Sequence, residues 1–84
     1  MDNLPNRRQS IEGTTYDGVR LRFVYTIARK LYRCPGCHGS VEIGAGHTLV
    51  QYLSAEPAWY QHWHSRCTGG LIHELKSSRV VQAN

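Results

Sequence analysis

Three cysteines and one histidine stand in two tight pairs, Cys34-Pro35-Gly36-Cys37 and His64-Ser65-Arg66-Cys67, and this spacing constrains the fold more than any other feature of the chain. The pairs are separated by 26 residues, positions 38 to 63, and no cysteine lies outside them. Thiolate and imidazole are the common structural ligands of Zn²⁺, which takes four of them in a tetrahedron. A C-x-x-C segment brings two thiolates to one point because the chain doubles back over two residues. Pro35 pre-sets φ for that turn, and Gly36 admits the positive φ it can need. His64 and Cys67 are three apart, so on a helical turn they share a face. The expectation is one structural zinc ion held by Cys34, Cys37, His64 and Cys67.

The competing uses of these residues fit less well. A Cys34–Cys37 disulfide would leave Cys67 unpaired. A redox C-x-x-C needs a βαβ setting, and the pattern around Cys34 supplies none. A catalytic zinc keeps a position open for water, whereas three cysteines and a histidine fill all four. His62 and His47 remain alternatives to His64 as the fourth ligand, since an extended chain throws residues 62 and 64 to the same side. His38, following the knuckle, fits a place behind the metal ligands or an exposed one, and His73 fits a surface position on the helix.

With 84 residues the chain makes one domain, and a domain this small often needs a staple. A bound zinc would be that staple, because its binding energy becomes folding energy. No apolar run is long enough to span a membrane. No signal-peptide pattern opens the sequence, and three thiols serving as ligands suit a reducing compartment, so a cytoplasmic location is expected. The polar run 1–12 reads as a flexible tail, 13–78 as a single zinc-binding domain and 79–84 as a second tail.

Within the domain, Asp17-Gly18 between strand-forming residues is a hairpin signal. Thr14-Thr15-Tyr16 would be the short first strand. The second alternates cleanly, with Val19, Leu21, Phe23, Tyr25 and Ile27 on one face and Arg20, Arg22, Val24, Thr26 and Ala28 on the other. Leu31 to Arg33 leads into the knuckle as a short strand. Val41 to Ile43 and His47 to Tyr52 read as a hairpin around Gly44-Ala45-Gly46. Trp59 to Trp63 is extended or turning. Ser65 to about Ser77 is the best helix, with Leu71, Ile72 and Leu75 on its apolar face, although Gly69-Gly70 weakens it by up to about 1 kcal/mol per glycine. The fold expected is a small zinc-stabilised α+β domain of treble-clef type. Its parts are knuckle, β-hairpin and a C-terminal helix whose start carries the last two ligands, with an extra N-terminal β-hairpin.

These motifs carry a resemblance. Cys34/Cys37 with Trp63-His64-x-x-Cys67 resembles the first half of a LIM domain and the PARP-type zinc finger. Tyr32-Arg33-Cys34-Pro35-Gly36-Cys37, Ile43-x-x-Gly46-His47-x-x-Val50 and His62-Trp63-His64-x-x-Cys67 together resemble a family of small actinobacterial zinc-finger proteins, over Leu31 to Cys67. Thr68, followed by Gly69-Gly70, stands where that family has an aromatic residue. Members of that family are often labelled ATP/GTP-binding. This chain has no G-x-x-x-x-G-K-[ST] loop to support such a role.

The formal charge is +4, and zinc binding by three thiolates would bring it near +3. Arg20, Arg22, Arg29, Lys30 and Arg33 fall in a segment, 18–38, without a single acid. Such a segment beside a rigid knuckle suits phosphate contacts, with Trp59 or Tyr60 as stacking platforms. Only Glu42, Glu56 and Glu74 supply carboxylates after the knuckle, too few for an HNH-type nuclease site with its own metal ligands. The function expected is a non-enzymatic zinc module that binds nucleic acid or a nucleoprotein machine, such as a ribosome or transcription complex. The alternative is a LIM-like protein-interaction adaptor working through the hairpin edge and the apolar strand face.

Overall fold

A computed structural model describes residues 9–82. Among the described residues strands predominate, with one short helix. Strands β1 (Gln9–Thr14), β2 (Arg20–Ile27), β5 (Gly46–Tyr52), β6 (Trp59–Trp63) and β7 (Ser77–Gln82) form one antiparallel sheet, ordered β6-β5-β2-β1-β7. Strands β3 (Tyr32–Arg33) and β4 (Ser40–Val41) form a separate ladder around the C-x-x-C turn. A 3₁₀ turn (Ser65–Cys67) and helix α1 (Gly69–His73) follow β6.

The longest alternating segment, β2, takes the centre of the sheet. Its inward residues Leu21 and Phe23 are fully buried with Ile11 of β1, Val50 of β5 and Ile72 of α1. Val19, Tyr52, Trp63, Leu71 and Leu75 close around them. Burying a side chain the size of Phe23 contributes about 1.5–3 kcal/mol. The apolar face tapers beyond the helix, and Ile27 at the end of β2 is exposed. The Asp17-Gly18 turn forms as expected: Gly18 has φ +88° and donates its N–H to the Thr15 carbonyl at 3.0 Å.

Four expectations are corrected. The first strand is Gln9–Thr14 rather than Thr14–Tyr16, so residues 9–12, assigned to a tail, are paired in the sheet, while 1–8 lie outside the described residues. Ile11 explains this, since it supplies a core side chain amid polar neighbours. Residues 79–82, also assigned to a tail, belong to β7 along β1. Positions 83–84 lie outside the described residues. The β7 strand also cuts the helix short. Lys76 donates its N–H to the Thr14 carbonyl at 2.8 Å, and from Ser77 onward the chain satisfies its backbone on β1 instead of on a helix. With Gly69-Gly70 at its start and β-branched Val80-Val81 beyond it, the segment 65–77 had little helical support. Finally, Val41 does not pair with the strand starting near His47. It pairs with Tyr32, leaving β5 to join β2 and β6.

Candidate metal centre

The β3–β4 ladder holds the C-x-x-C turn by its backbone. Cys34 N–H donates to the Gly39 carbonyl at 2.9 Å, and His38 N–H donates to the Cys34 carbonyl at 2.8 Å. Closing this loop puts His38, not Gly36, at positive φ (64°). Gly36 is needed for a different reason. A Cβ there would lie 2.7 Å from Trp63 Cζ3 and 3.1 Å from the Cys67 Cβ, so a side chain would push apart the two halves of the site. Strand β6 ends at Trp63, and the 3₁₀ turn then curls Cys67 back onto His64, with Cys67 N–H donating to the His64 carbonyl at 2.9 Å.

The ligand atoms of Cys34, Cys37, His64 and Cys67 all lie within 4.8 Å of one another and could hold one metal ion. His64 Nε2 lies 2.7 Å from the Ser40 carbonyl oxygen, which can only accept, so Nε2 carries the proton. In the neutral ring that leaves the Nδ1 lone pair facing Cys37 Sγ at 3.2 Å and Cys67 Sγ at 3.9 Å. The sulfurs receive backbone donors as well: His64 N–H to Cys34 Sγ at 3.4 Å, and Gly39 N–H to Cys37 Sγ at 3.4 Å. A backbone acceptor that fixes the ligand tautomer is the usual support of a metal-bound histidine.

The thiols differ in environment, since Cys34 is buried and Cys37 exposed. Burial pushes the Cys34 thiol up, but backbone N–H donors from His64, Cys37 and Gly36, with the Cys67 thiol, outweigh it and bring it down to about 7. Cys67 is pushed up to about 11, by burial first and then by Cys34 and Cys37. A first thiolate thus resists the formation of a second beside it. A divalent cation at the centre reverses that repulsion.

His62 and His47, the alternatives to His64, are turned toward each other. His47 is fully buried, with Nδ1 3.2 Å from the Ala45 carbonyl and Nε2 2.6 Å from His62 Nδ1. The first contact puts the His47 proton on Nδ1, so His62 Nδ1–H is the donor in the second. Tyr32 stacks on His62 with ring centroids 3.5 Å apart, linking the knuckle ladder to β6. Burial, and then the electrostatic influence of His47 beside it, hold His62 below its ordinary value of 6.5. This pair went unseen in the sequence as a unit. Only the β5–β6 register, which sets Leu49 opposite His62, brings positions 47 and 62 together.

The basic and aromatic candidates are divided among several places. Arg20 and Arg22 do share the outer face of β2, but Arg22 Nε donates to Glu12 Oε2 at 3.1 Å. The same carboxylate accepts from Arg79 Nη2 at 3.4 Å. These two arginines hold the Glu12 carboxyl below its ordinary value, against the opposing effect of burial. Arg29 and Lys30 are exposed in the loop after β2. Arg33 donates from Nη1 to the His38 carbonyl at 3.0 Å, bracing the knuckle. Trp59 and Tyr60 point to opposite faces of β6. Tyr60 lies opposite Gln51 on the outer face, whereas Trp59 stacks on Tyr52 with centroids 4.0 Å apart. The apolar face of β2, the docking surface of the adaptor reading, is the core itself.

No family model matches the chain, and no curated protein or solved structure matches it either.

Proposed function

We propose that the chain is a non-enzymatic module built on one structural Zn²⁺, in the cytoplasm, and that its work is to bind nucleic acid or a nucleoprotein assembly. The observation that carries the metal reading is the preparation of His64. Its Nε2–H is committed to the Ser40 carbonyl and its Nδ1 is aimed at the cysteine sulfurs. Three thiolates and one imidazole suit Zn²⁺ among the available metals and complete a tetrahedron without a place for a reacting water. The order knuckle, β5–β6 hairpin, then a turn and helix bearing the last two ligands agrees with the treble-clef arrangement of the LIM half-domain and of the small actinobacterial family that the motifs resemble. The nucleic-acid reading is supported by Arg20 and Arg22 on the same outer face as Tyr60.

Elemental analysis of purified protein tests the first part. One zinc per chain is expected, and its loss in Cys34→Ser. Absence of zinc, or a Cys34–Cys37 disulfide, refutes it. The adaptor reading keeps one observation in its favour: Ile27, Leu31 and Ile43 are all exposed apolar residues in and around the segments next to the knuckle. Binding to a partner that ignores added salt would favour it, since phosphate contacts weaken steeply with salt.

A further inference from the structure

The outer face of the five-stranded sheet carries an ordered row that no single strand reveals. Pairing places Tyr60, Gln51, Arg22, Glu12 and Arg79 side by side, one from each of β6, β5, β2, β1 and β7. Two residues further along the strands runs a second row, with Leu49, Val24 and Val81 as its apolar members. The helix packs on the opposite face, against Ile11, Leu21, Phe23 and Val50. Tyr60 is 61% exposed, and the Arg79 side chain 76%. At the β7 end, Arg20, Arg79, Thr14 and Ser77 line an open cleft of about 240 Å³.

We infer that this face seats a short single strand of nucleic acid, laid across the β-strands from Tyr60 to the Arg20–Arg79 cleft. The inference rests on the nucleic-acid reading above and sharpens it to one class of ligand. Tyr60 supplies a ring for a base to stack on. Leu49, Val24 and Val81 form an apolar floor beside it. Arg20, Arg22 and Arg79 face the phosphates, opposed among the described residues of this row by Glu12, so these four side chains carry a net charge of +2. Four strand spacings separate Tyr60 from Arg79, about 19 Å in all. That length suits about four nucleotides, at the low end of what single-strand binders cover. Gln51, between Tyr60 and Arg22, has a buried Oε1 without a hydrogen-bond partner, an acceptor that rotation of the side chain would offer to a base N–H. A duplex fits poorly. The face is broader than the major groove, about 12 Å wide, and paired, stacked bases leave Tyr60 and the apolar floor unmatched.

Glu12 sets the strength of this seat, because a phosphate must compete with it for both Arg22 and Arg79. Removing its charge should therefore improve binding, which gives a test that does not depend on damaging the fold. Fluorescence anisotropy with zinc-loaded full-length chain, labelled dT8 and a labelled 12-base-pair duplex reads the outcome at several salt concentrations. The expected results are tighter binding of dT8 than of duplex, loss of about ten-fold or more in Tyr60→Ala, and several-fold tighter binding with a steeper salt slope in Glu12→Gln. Tyr16→Ala, an exposed tyrosine in the β1–β2 turn, should bind like the parent. If dT8 and duplex bind equally and Tyr60→Ala changes nothing, the single-strand seat is refuted while a general phosphate-binding surface stands. If neither oligonucleotide binds at low salt, even in Glu12→Gln, the nucleic-acid reading fails and the seat with it.

Discussion

Replacing Gly36 with alanine should weaken metal binding without touching a ligand. The added Cβ would sit 2.7 and 3.0 Å from Trp63 Cζ3 and Cε3, and 3.1 Å from the Cys67 Cβ. Carbon atoms prefer about 3.5–4.0 Å, so the indole must retreat by about 1 Å or the knuckle must open. The indole is not free to retreat. Its Nε1–H donates to Gln61 Oε1 at 3.0 Å, and the ring packs against both buried clusters, one under the sheet and one under the knuckle. Its backbone neighbour is His64, so displacing residue 63 disturbs a ligand. Overpacking of this kind costs about 1–3 kcal/mol. The metal-free knuckle can relax, so the penalty falls on the bound state and becomes about a 5- to 140-fold loss of zinc affinity. Competition against a chromophoric chelator measures this directly. Gly70→Ala is the control: apart from its chain neighbours and its own helix backbone nothing lies within 4 Å of its Cβ position, and alanine in α1 should leave stability unchanged or raise it by up to about 1 kcal/mol. A Gly36→Ala protein that holds zinc as tightly as the parent would refute the argument that close approach is what this position requires.

His64→Ala should lose zinc while His62→Ala keeps it, as read by elemental analysis. The second variant should still lose about 1–3 kcal/mol in denaturant titration, because His47 Nε2 would be left buried without its donor. Phe23→Ala, at the centre of the core, should cost about 3–5 kcal/mol and lower the thermal midpoint accordingly. Because His62 titrates below 6.5 in the folded chain, the unfolded chain binds its proton first. Stability should thus be full above pH 6.5 and fall as pH drops through the lowered value, with a weaker pH dependence in His62→Phe under urea denaturation in excess zinc.

The four-residue cluster was legible because metal-ligand spacing is a local signal, and the alternation of β2 was legible because one buried face imposes period two over many residues. What escaped the sequence depends on partners distant in the chain. Near Ser77 the strand signal is limited to Val80-Val81, which pair once β1 offers a free edge, and around Gln9 it is limited to Ile11. The grouping of Val41 with His47 to Tyr52 rested on their proximity across a glycine-containing loop, yet the knuckle pulls Val41 to Tyr32 instead. The sequence reads Gly36 as a source of backbone freedom, but the indole of Trp63, 27 residues further along the chain, sets its requirement. The five cations form a run in sequence that the fold divides between the outer face of β2, the loop after it and the knuckle ladder. Strand geometry turned Arg20 and Arg22 outward, and hydrogen bonds engaged Arg22 and Arg33 with Glu12 and the knuckle.

The pairing of β1 with β7 has a consequence for the order in which a growing chain takes shape. Every candidate ligand, from Cys34 to Cys67, precedes Ser77, so metal capture can run ahead of the completed sheet. During that interval β1 has β2 on one side and an unsatisfied row of N–H and C=O groups on the other, the kind of edge that recruits strands from neighbouring chains. β7 then acts as a closing piece. Its arrival covers the edge of β1 and puts Arg79 against Glu12. A chain halted before Ser77 would keep all four candidate ligands and still be sticky, so for this fold the candidate metal centre and colloidal good behaviour are set by different parts of the sequence.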